Sequence, residues 1–310
     1  MKILILGAGG IGGYFGARLV KSGAEVTFLV RPKRHEQLGR YGLAVKSPNG
    51  DMKLKVKTVL AEDLQPGYDI VLFTCKSYDL DSAMDAIAPA MDGHCALVPL
   101  LNGISHMERL DARFGAKQVL GGTAQIIVTL ASDGTVLHLE PLNRILFGER
   151  DGSMSPRSTA LAAALEKSGI TTVHSDNVML DMWEKVVFLS ALAALTCVFR
   201  ANNGEIMATP DGRVLVERCL DANIAIAVAE GFSPREGALK AYRARLTDAS
   251  GKVEASMLRD LEGGKPVEAD HIVGFMLDLA RKHKIDDAVL AVAYTHLKAY
   301  EARRAAGRLK

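Results

Sequence analysis

The sequence predicts an α/β domain with a parallel sheet over residues 1–175, followed by an all-α domain over residues 176–310. Up to residue 175, short apolar runs alternate with helix-length segments, which is typical of βαβ units. Beyond residue 176 strand signals largely vanish, and glycine and proline residues separate successive helical segments. A chain of 310 residues is also long enough for two domains of ordinary size.

The first domain is predicted to contain strands and helices in alternation, joined by short connections. The predicted strands are Lys2–Leu6, Glu25–Val30, Asp69–Thr74, Cys95–Leu100 and Ile170–His174. The predicted helices are Gly10–Lys21, Tyr78–Ala90, His106–Phe114 and Pro156–Lys167.

Two turn dipeptides interrupt this alternation. Asn49-Gly50 and Asp133-Gly134 each lie between segments in which apolar residues alternate, and this pattern predicts a β-hairpin. We expect both hairpins to add antiparallel strands to the sheet.

The second domain is predicted to be entirely helical. Its longest mostly apolar run, Val186–Phe199, is shorter than the ~20 residues that span a bilayer, so we expect a buried core helix. The predicted helices are Asp176–Arg200, Arg213–Glu230, Arg235–Asp248, Val253–Leu261, Asp270–His283 and Asp286–Arg304.

Composition excludes several classes of function. The net charge of +2 gives no reason to expect nucleic acid as a partner. The apolar run before Gly7 is too short for a signal peptide, and no membrane segment is predicted. The four cysteines and eight histidines show no metal-ligand spacing, so we expect free thiols and no metal. These features predict a cytoplasmic protein.

A glycine pattern follows the first predicted strand. Gly7, Gly9 and Gly12 match G-x-G-x-x-G between a strand and a helix, the context that makes the pattern a dinucleotide-binding signal. Such glycines allow a tight turn, approach of the backbone to a pyrophosphate, and close packing of helix on strand. We therefore predict a Rossmann-type domain that binds cofactor phosphates at the helix N-terminus. The residues assigned to this role are Gly7, Gly9, Gly10, Ile11 and Gly12.

The end of the second predicted strand indicates which nicotinamide cofactor binds. A domain specific for NAD usually carries Asp or Glu about 20 residues after the glycine turn, where it binds the ribose hydroxyls. Here Arg31 occupies that place, and Lys33 and Arg34 follow it. Because an arginine binds a 2′-phosphate with charge-assisted hydrogen bonds, we predict NADP(H) as the cofactor. The alternative is a solvated basic loop.

Three polar residues stand where a site is expected. Lys76 and Asn102 each follow an apolar strand, and ligands of open α/β sheets bind beyond the carboxyl ends of the strands. Lys185 begins a helical stretch that is otherwise almost entirely apolar. Taken singly, Lys76 can be a surface lysine, Asn102-Gly103 a turn, and Lys185 a lysine whose stem covers apolar surface.

Taken together, these segments resemble the ketopantoate reductase (2-dehydropantoate 2-reductase) family. The similar elements follow the family's order from residue 3 to about residue 280. The glycine motif is shared by many families, and the later elements are much more specific. The similar elements are Gly7-Ala-Gly-Gly-Ile-Gly12, Arg31, Thr74-Cys-Lys76, Asn102-Gly103, Trp183-Glu-Lys185, Ser256-Met-Leu-Arg-Asp260, Val267-Glu-Ala-Asp270 and Gly274-Phe275.

The resemblance implies NADPH-dependent reduction of a 2-oxo acid to a 2-hydroxy acid. Its leading form is 2-dehydropantoate to pantoate, in pantothenate biosynthesis. Lys185 matches the family's proton donor, and Glu268 matches the carboxylate that helps to position substrate and lysine and that we also assign to cofactor binding. Ser256 matches a substrate contact, Asn102 the residue near nicotinamide and substrate, and Lys76 a cofactor-binding lysine.

The chain departs from the family in the helix of Lys185. Family members typically carry asparagines four and eight residues after this lysine, where this chain has Leu189 and Ala193. A site built to bind a substrate hydroxyl discriminates strongly for it. The loss of both asparagines therefore predicts a less polar or differently shaped 2-oxo acid. Helical spacing puts Thr196 on the same stripe, and we predict it as a partial substitute.

The sequence therefore predicts an NADP-dependent oxidoreductase that acts on CH–OH groups of a small-molecule substrate, and it leaves room for a homodimer. The domain of residues 1–175 is predicted to bind NADP(H), and that of residues 176–310 to carry substrate and catalytic residues. Two alternatives stay open: another two-domain dehydrogenase, such as a 3-hydroxy acid dehydrogenase, and an NADP-binding sensor without catalysis. The presence together of Lys185, Ser256 and Glu268 argues against the sensor.

Overall fold

The computed structural model describes residues 1–309, and the chain divides into two compact units. The first unit contains Met1–Leu101 and His106–Val178. The second begins at Met179 and also takes in the short segment Asn102–Ser105. The chain thus passes into the second unit for four residues and returns before it finally leaves the first.

The first unit contains strands of two sheets. In chain order the strands are β1 (Lys2–Leu6), β2 (Glu25–Leu29), β3 (Leu43–Lys46), β4 (Met52–Leu54), β5 (Lys57–Val59), β6 (Ile70–Phe73), β7 (Ala96–Pro99), β8 (Gly121–Leu130), β9 (Val136–Gly148) and β10 (Thr171–His174). Its helices are α1 (Gly10–Lys21), α2 (Pro32–Tyr41), α3 (Leu80–Ile87), α4 (His106–Phe114) and α5 (Pro156–Lys167).

The first sheet has the order β5-β2-β1-β6-β7, and all its neighbouring strands are parallel. Its central strand β1 is buried from Ile3 to Leu6, as expected for a strand covered on both faces. The direction in which the sheet grows reverses between β1 and β6. In a Rossmann-type sheet the ligand crevice lies at this point, outside the carboxyl ends of the strands. The predicted fold class is confirmed.

The second sheet has the order β10-β9-β3-β4, and β8 pairs with β9. Both predicted hairpins are present, as the antiparallel pairs β3–β4 and β8–β9. The expectation that they extend the first sheet was wrong, as was the assignment of Ile170–His174 to that sheet, because β10 pairs with β9. Alternating apolar residues show which face of a strand is buried, but they do not identify its partner.

Helix α1 lies between the two sheets and uses glycines to approach both. A Cβ at Gly16 would lie 2.4 Å from the ring of Phe28 in β2. A Cβ at Gly13 would lie 2.7 Å from the side chain of Val136 in β9. Gly16 therefore allows α1 to pack closely on the first sheet, and Gly13 allows it to pack closely on the second.

The second unit is helical, as predicted. Its longest helix spans 22 residues and is long and apolar enough to cross a membrane, but 72% of its apolar window is buried inside the protein. It is therefore a core helix, although longer than the predicted apolar run. The helices are α6 (Val178–Phe199), α7 (Asn203–Met207), α8 (Gly212–Ala229), α9 (Glu236–Leu246), α10 (Ser256–Glu262), α11 (Phe275–His283) and α12 (Ala288–Ala305), and a π-helical turn, Asp270–Gly274, precedes α11.

Candidate active site

Three glycines shape the turn between β1 and α1. Gly7 has a φ of +90°, which side chains rarely adopt. A Cβ at Gly12 would lie 2.3 Å from the carbonyl oxygen of Gly7, so the helix packs this closely only without a side chain. A Cβ at Gly9 would meet nothing within 4 Å. The first N–H groups of a helix lack partners within it, and in α1 these include the N–H groups of Gly10 and Ile11.

The two arginines after β2 have different roles. The side chain of Arg31 is 73% exposed, and its guanidinium lies 2.9 Å from the carboxylate of Asp79. The side chain of Arg34 instead donates to the carbonyl oxygen of Ala8, from Nε at 3.2 Å and from Nη2 at 2.8 Å. Arg34 therefore holds the glycine turn, whereas the guanidinium of Arg31 is largely exposed and pairs with Asp79. Both lie at the start of α2, and not in a loop.

The segment after β6 brings a further predicted residue to this region. Thr74 Oγ1 donates to the carbonyl oxygen of Leu6 at 2.7 Å, which ties the end of β6 to the end of β1. Lys76 follows two residues later and is half-buried. Because Asp79 of the same segment pairs with Arg31, the structure places Lys76 and Arg31 in one part of the first unit.

In the second unit, predicted site residues meet at the amino group of Lys185. Its Nζ donates to Oδ1 of Asn102 at 3.1 Å. Glu268 is 6% exposed, and its negative charge acts on Lys185. Asn102 therefore belongs to the unit that contains Lys185, whereas the sequence placed it in the first domain.

The environment of Lys185 makes it a stronger acid than an ordinary lysine. Burial lowers the pKa of Lys185 to about 8, and the charge of Glu268 opposes this effect. A general acid works best when its pKa lies close to the working pH, because it is then charged and still releases its proton readily. At neutral pH most Lys185 side chains carry the proton that such a role requires.

The residues beside Lys185 fix α6 in the core. The ring of Trp183 stacks on that of Phe232, with centroids 5.4 Å apart and an interplanar angle of 18°. The carboxylate of Glu184 accepts from the backbone N–H of Arg235 at 2.7 Å and from its Nε at 2.8 Å. Successive helical residues point about 100° apart, so these three side chains face different surroundings. Trp183 packs in an aromatic core, Glu184 binds the start of α9, and Lys185 faces the site.

Two further residues of this cluster were not predicted from the sequence. Nε2 of His271 lies 2.8 Å from the carbonyl oxygen of Asn102, and its Nδ1 lies 2.6 Å from Oγ of Ser105. The one sequence signal is that His271 follows Glu268 by only three residues. No pattern links it to Ser105, since 166 positions separate the two residues.

The structure does not bring Thr196 to this cluster. Thr196 is fully buried, and its hydroxyl donates to the carbonyl oxygen of Leu192 in its own helix at 2.7 Å. Eleven residues of α-helix rise about 16 Å, which separates Thr196 from Lys185. Leu189 is half-buried one turn from Lys185, whereas Ala193 is 0% exposed. On the stripe that begins at Lys185, solvent access therefore ends at Leu189.

The structure also places Ser256, the side chains that could hold a metal ion and the cysteines. Ser256 is the first residue of α10 and is half-buried in the second unit. Within residues 1–309, no group of three or more His, Cys, Asp or Glu side chains is placed to hold a metal ion. The four cysteines are free thiols.

Comparison with known proteins gives matches over nearly the whole chain. Residues 3–152 match the model described as ketopantoate reductase PanE/ApbA, and residues 177–301 match its C-terminal model. The chain is 35% identical over 305 residues to the uncharacterized oxidoreductase YkpB of Bacillus subtilis, covering 98% of this chain and 100% of that protein.

Two solved structures are similar over their full length. One is a 2-dehydropantoate 2-reductase from Geobacter metallireducens, with a TM-score of 0.87 and 30% identity over 96% of this chain and 99% of that one. The other is a D-mandelate dehydrogenase with NADH and anilino(oxo)acetate, with a TM-score of 0.86 and 20% identity over 98% and 100%, respectively. The second likeness shows the fold alone. The chain belongs to the ketopantoate reductase PanE/ApbA family, whose members are oxidoreductases that act on CH–OH groups.

Proposed function

We propose that this protein uses NADPH to reduce a 2-oxo acid to the 2-hydroxy acid, with Lys185 as the proton donor. The observation that carries the proposal is the amino group of the half-buried Lys185, hydrogen-bonded to Asn102 and within reach of the charge of Glu268. We further propose that the first unit binds the cofactor and that the second carries the substrate and catalytic residues, including Ser256.

The residues of the second unit suit the reduction of a ketone. When bound, the nicotinamide supplies a hydride to the carbonyl carbon. Negative charge then develops on the carbonyl oxygen. An ammonium group at hydrogen-bond distance stabilises this charge and gives the oxygen a proton from Nζ of Lys185. The hydrogen bond to Asn102 orients this group, and the charge of Glu268 favours its protonated form.

Preference for NADPH is supported by the residues that follow the strands of the first sheet. The glycine turn fits a diphosphate, and the exposed Arg31 near Lys76 offers positive charge to a 2′-phosphate. The cofactor-bound relative of the same fold contains NADH, so the fold itself does not decide the choice. We assign it to Arg31.

Arg31→Ala is expected to weaken binding of NADPH roughly ten- to a hundredfold more than binding of NADH, because a charge-assisted hydrogen bond is worth ~1.5–3 kcal/mol. The variant also leaves Asp79 unpaired near the phosphate, which adds repulsion. Titration of cofactor fluorescence gives both affinities. Lys33→Ala removes an exposed charge two residues away and is the matched control. Equal losses for both cofactors in Arg31→Ala would exclude this role.

We propose that the substrate side chain is apolar at the end nearest Leu189. This side chain is half-buried one helical turn from Lys185, and it offers no hydrogen bond. The next position of the stripe, Ala193, is fully buried and cannot contact a substrate. A hydroxyl at that end of the substrate would therefore find no hydrogen-bond partner on α6. A substrate that lacks this hydroxyl should be reduced with little loss of kcat/KM.

The decisive experiment measures NADPH oxidation with 2-dehydropantoate and with its analogue 3,3-dimethyl-2-oxobutanoate, which lacks only the hydroxyl. We expect both to be reduced, with kcat/KM for the analogue at least equal to that for 2-dehydropantoate. A site built to bind the hydroxyl would reject the analogue by roughly 10⁴-fold. Such rejection would instead support 2-dehydropantoate and pantothenate biosynthesis. Leu189→Asn is expected to move the preference toward the hydroxylated acid.

The same assay separates the proposal from its alternatives. Oxidation of a 3-hydroxy acid would favour the other two-domain dehydrogenase. Tight NADPH binding with no turnover of any 2-oxo acid would favour the sensor. A cytoplasmic location is supported by the four free thiols. The homodimer stays a prediction for analytical ultracentrifugation to check.

A further inference from the structure

We propose that His271 is a positioning residue for this reaction: it fixes the Asn102–Ser105 turn and thereby the direction of the Lys185 amino group. The inference rests on the proposed function only through the role of Lys185. His271 itself lies outside the set of residues that the sequence motifs single out.

The hydrogen bonds of His271 determine its tautomer. The carbonyl oxygen of Asn102 only accepts, so the ring nitrogen 2.8 Å away, Nε2, must carry a hydrogen. In the neutral ring Nδ1 is then an acceptor, and the hydroxyl of Ser105 at 2.6 Å can donate to it. Both nitrogens are satisfied by the same turn, which holds the ring in one orientation.

The residue between these two contacts is adapted to the ring. Gly103 has a φ of +79°, which favours glycine. A Cβ at Gly103 would lie 2.8 Å from Cδ2 of His271, so the imidazole lies against bare backbone. His271 therefore hydrogen-bonds the turn at Asn102 and Ser105, and its ring occupies the space that a side chain at Gly103 would need.

His271 is close in sequence to Glu268 and is connected through Asn102 to Lys185. It lies in the π-helical turn Asp270–Gly274, three residues after Glu268. π-Helical turns are rare in proteins, and those that occur are often found at functional sites. The side-chain oxygen of the same Asn102 accepts from Nζ of Lys185 at 3.1 Å. A continuous set of contacts thus runs from His271 through the backbone of Asn102 to its side chain and to Lys185.

We expect the Asn102–Ser105 turn to depend more than most loops on contacts that hold its conformation. It belongs to the second unit for only four residues, and both of its flanks belong to the first unit. Without the ring of His271, the backbone of Asn102 would lose a hydrogen bond that fixes its side chain in front of Lys185. The rate of proton transfer should then fall, while substrate binding through other residues is largely kept.

The experiment is a double-mutant cycle with His271→Phe and Asn102→Ala. His271→Phe keeps a ring of similar shape without hydrogen bonds, and we expect it to lower kcat about tenfold with little change in KM. If His271 acts through the Asn102 side chain, the double variant is no slower than Asn102→Ala alone. Multiplication of the two effects would overturn the proposal. The matched control is His283→Phe, another half-buried histidine of the same unit, which should leave kcat unchanged.

A second measurement does not depend on turnover. Acetylation of Lys185 followed by mass spectrometry across a pH series reports the pKa of its amino group. The hydrogen bond to Asn102 favours the charged form, so Asn102→Ala and His271→Phe should lower this pKa by the same amount, and the double variant no further. A shift in Asn102→Ala but none in His271→Phe would contradict the positioning role.

The two experiments separate failure of this inference from failure of the proposed function. If the wild-type protein reduces no 2-oxo acid, the proposed function fails, and the acetylation series still tests the role of His271. If Lys185→Ala is inactive but His271→Phe behaves as His283→Phe, only the inference fails. Should His271→Phe not fold, as judged by thermal unfolding, Ser105→Ala removes the bond at Nδ1 alone and enters both experiments with the same expected directions.

Discussion

Alanine at position 185 is expected to lower kcat for 2-oxo acid reduction by roughly 10²–10⁴, with little effect on NADPH binding. The change removes both the proton and the positive charge that stabilises the developing alkoxide. Stopped-flow measurement of NADPH oxidation gives kcat, and a fluorescence titration gives the cofactor affinity. Full activity in Lys185→Ala would exclude this residue from the mechanism.

The pH dependence supplies the control for this variant. The pKa of Lys185 is about 8, and only the protonated form can donate. In the wild-type protein, kcat/KM for reduction should therefore be full below that pH and fall as the pH rises through about 8. Lys185→Arg keeps its charge throughout this range, so its residual activity should not show this decline. A decline that persists in Lys185→Arg belongs to another group.

Alanine at position 12 is expected to abolish NADPH binding at micromolar concentrations and to lower the free energy of unfolding by about 1–3 kcal/mol. The added Cβ would lie 2.3 Å from Gly7 O and 2.5 Å from Thr74 Oγ1. The first of these atoms is backbone, and the second is held by its hydrogen bond to Leu6. The start of α1 would have to move away from the turn, and its N–H groups would move with it.

Urea unfolding and cofactor titration measure the two effects of Gly12→Ala. Gly39→Ala is the matched control, since Gly39 lies in α2 and a Cβ there would meet nothing within 4 Å. That variant should bind NADPH normally and gain stability, by ~0.5–1 kcal/mol, because glycine is unfavourable within a helix. Normal NADPH binding by Gly12→Ala would show that the close approach of α1 is dispensable.

Local signals were sufficient for much of the fold. Helices α1, α4 and α5 have the predicted bounds because glycine, proline and apolar periodicity mark both their faces and their ends. Helix α2 was missed because it is almost entirely polar, and Leu38 is its only buried residue. Even so, Pro32 at its first position and Gly42 after its last are ordinary signals of helix ends.

The same distinction applies to the candidate site. The glycine turn is contiguous in sequence, so the spacing of Gly7, Gly9 and Gly12 sufficed to predict its geometry. Lys185 and Asn102 are 83 positions apart in sequence. Only the family resemblance placed both of them at one site. The role of His271 could not be predicted from its closeness to Glu268 in sequence, because it depends on a turn that only the folded chain brings to it.

The excursion of Asn102–Ser105 also limits how these proteins can be recombined. A chimaera joined once, after Val178, would combine the helical unit of one family member with the Asn102 turn of another. A fragment starting at Met179 would lack the turn altogether. Exchange of the first unit, by design or by evolution, must therefore preserve the match between this turn and the π-helical segment that contacts it, even when the junction itself lies far from both.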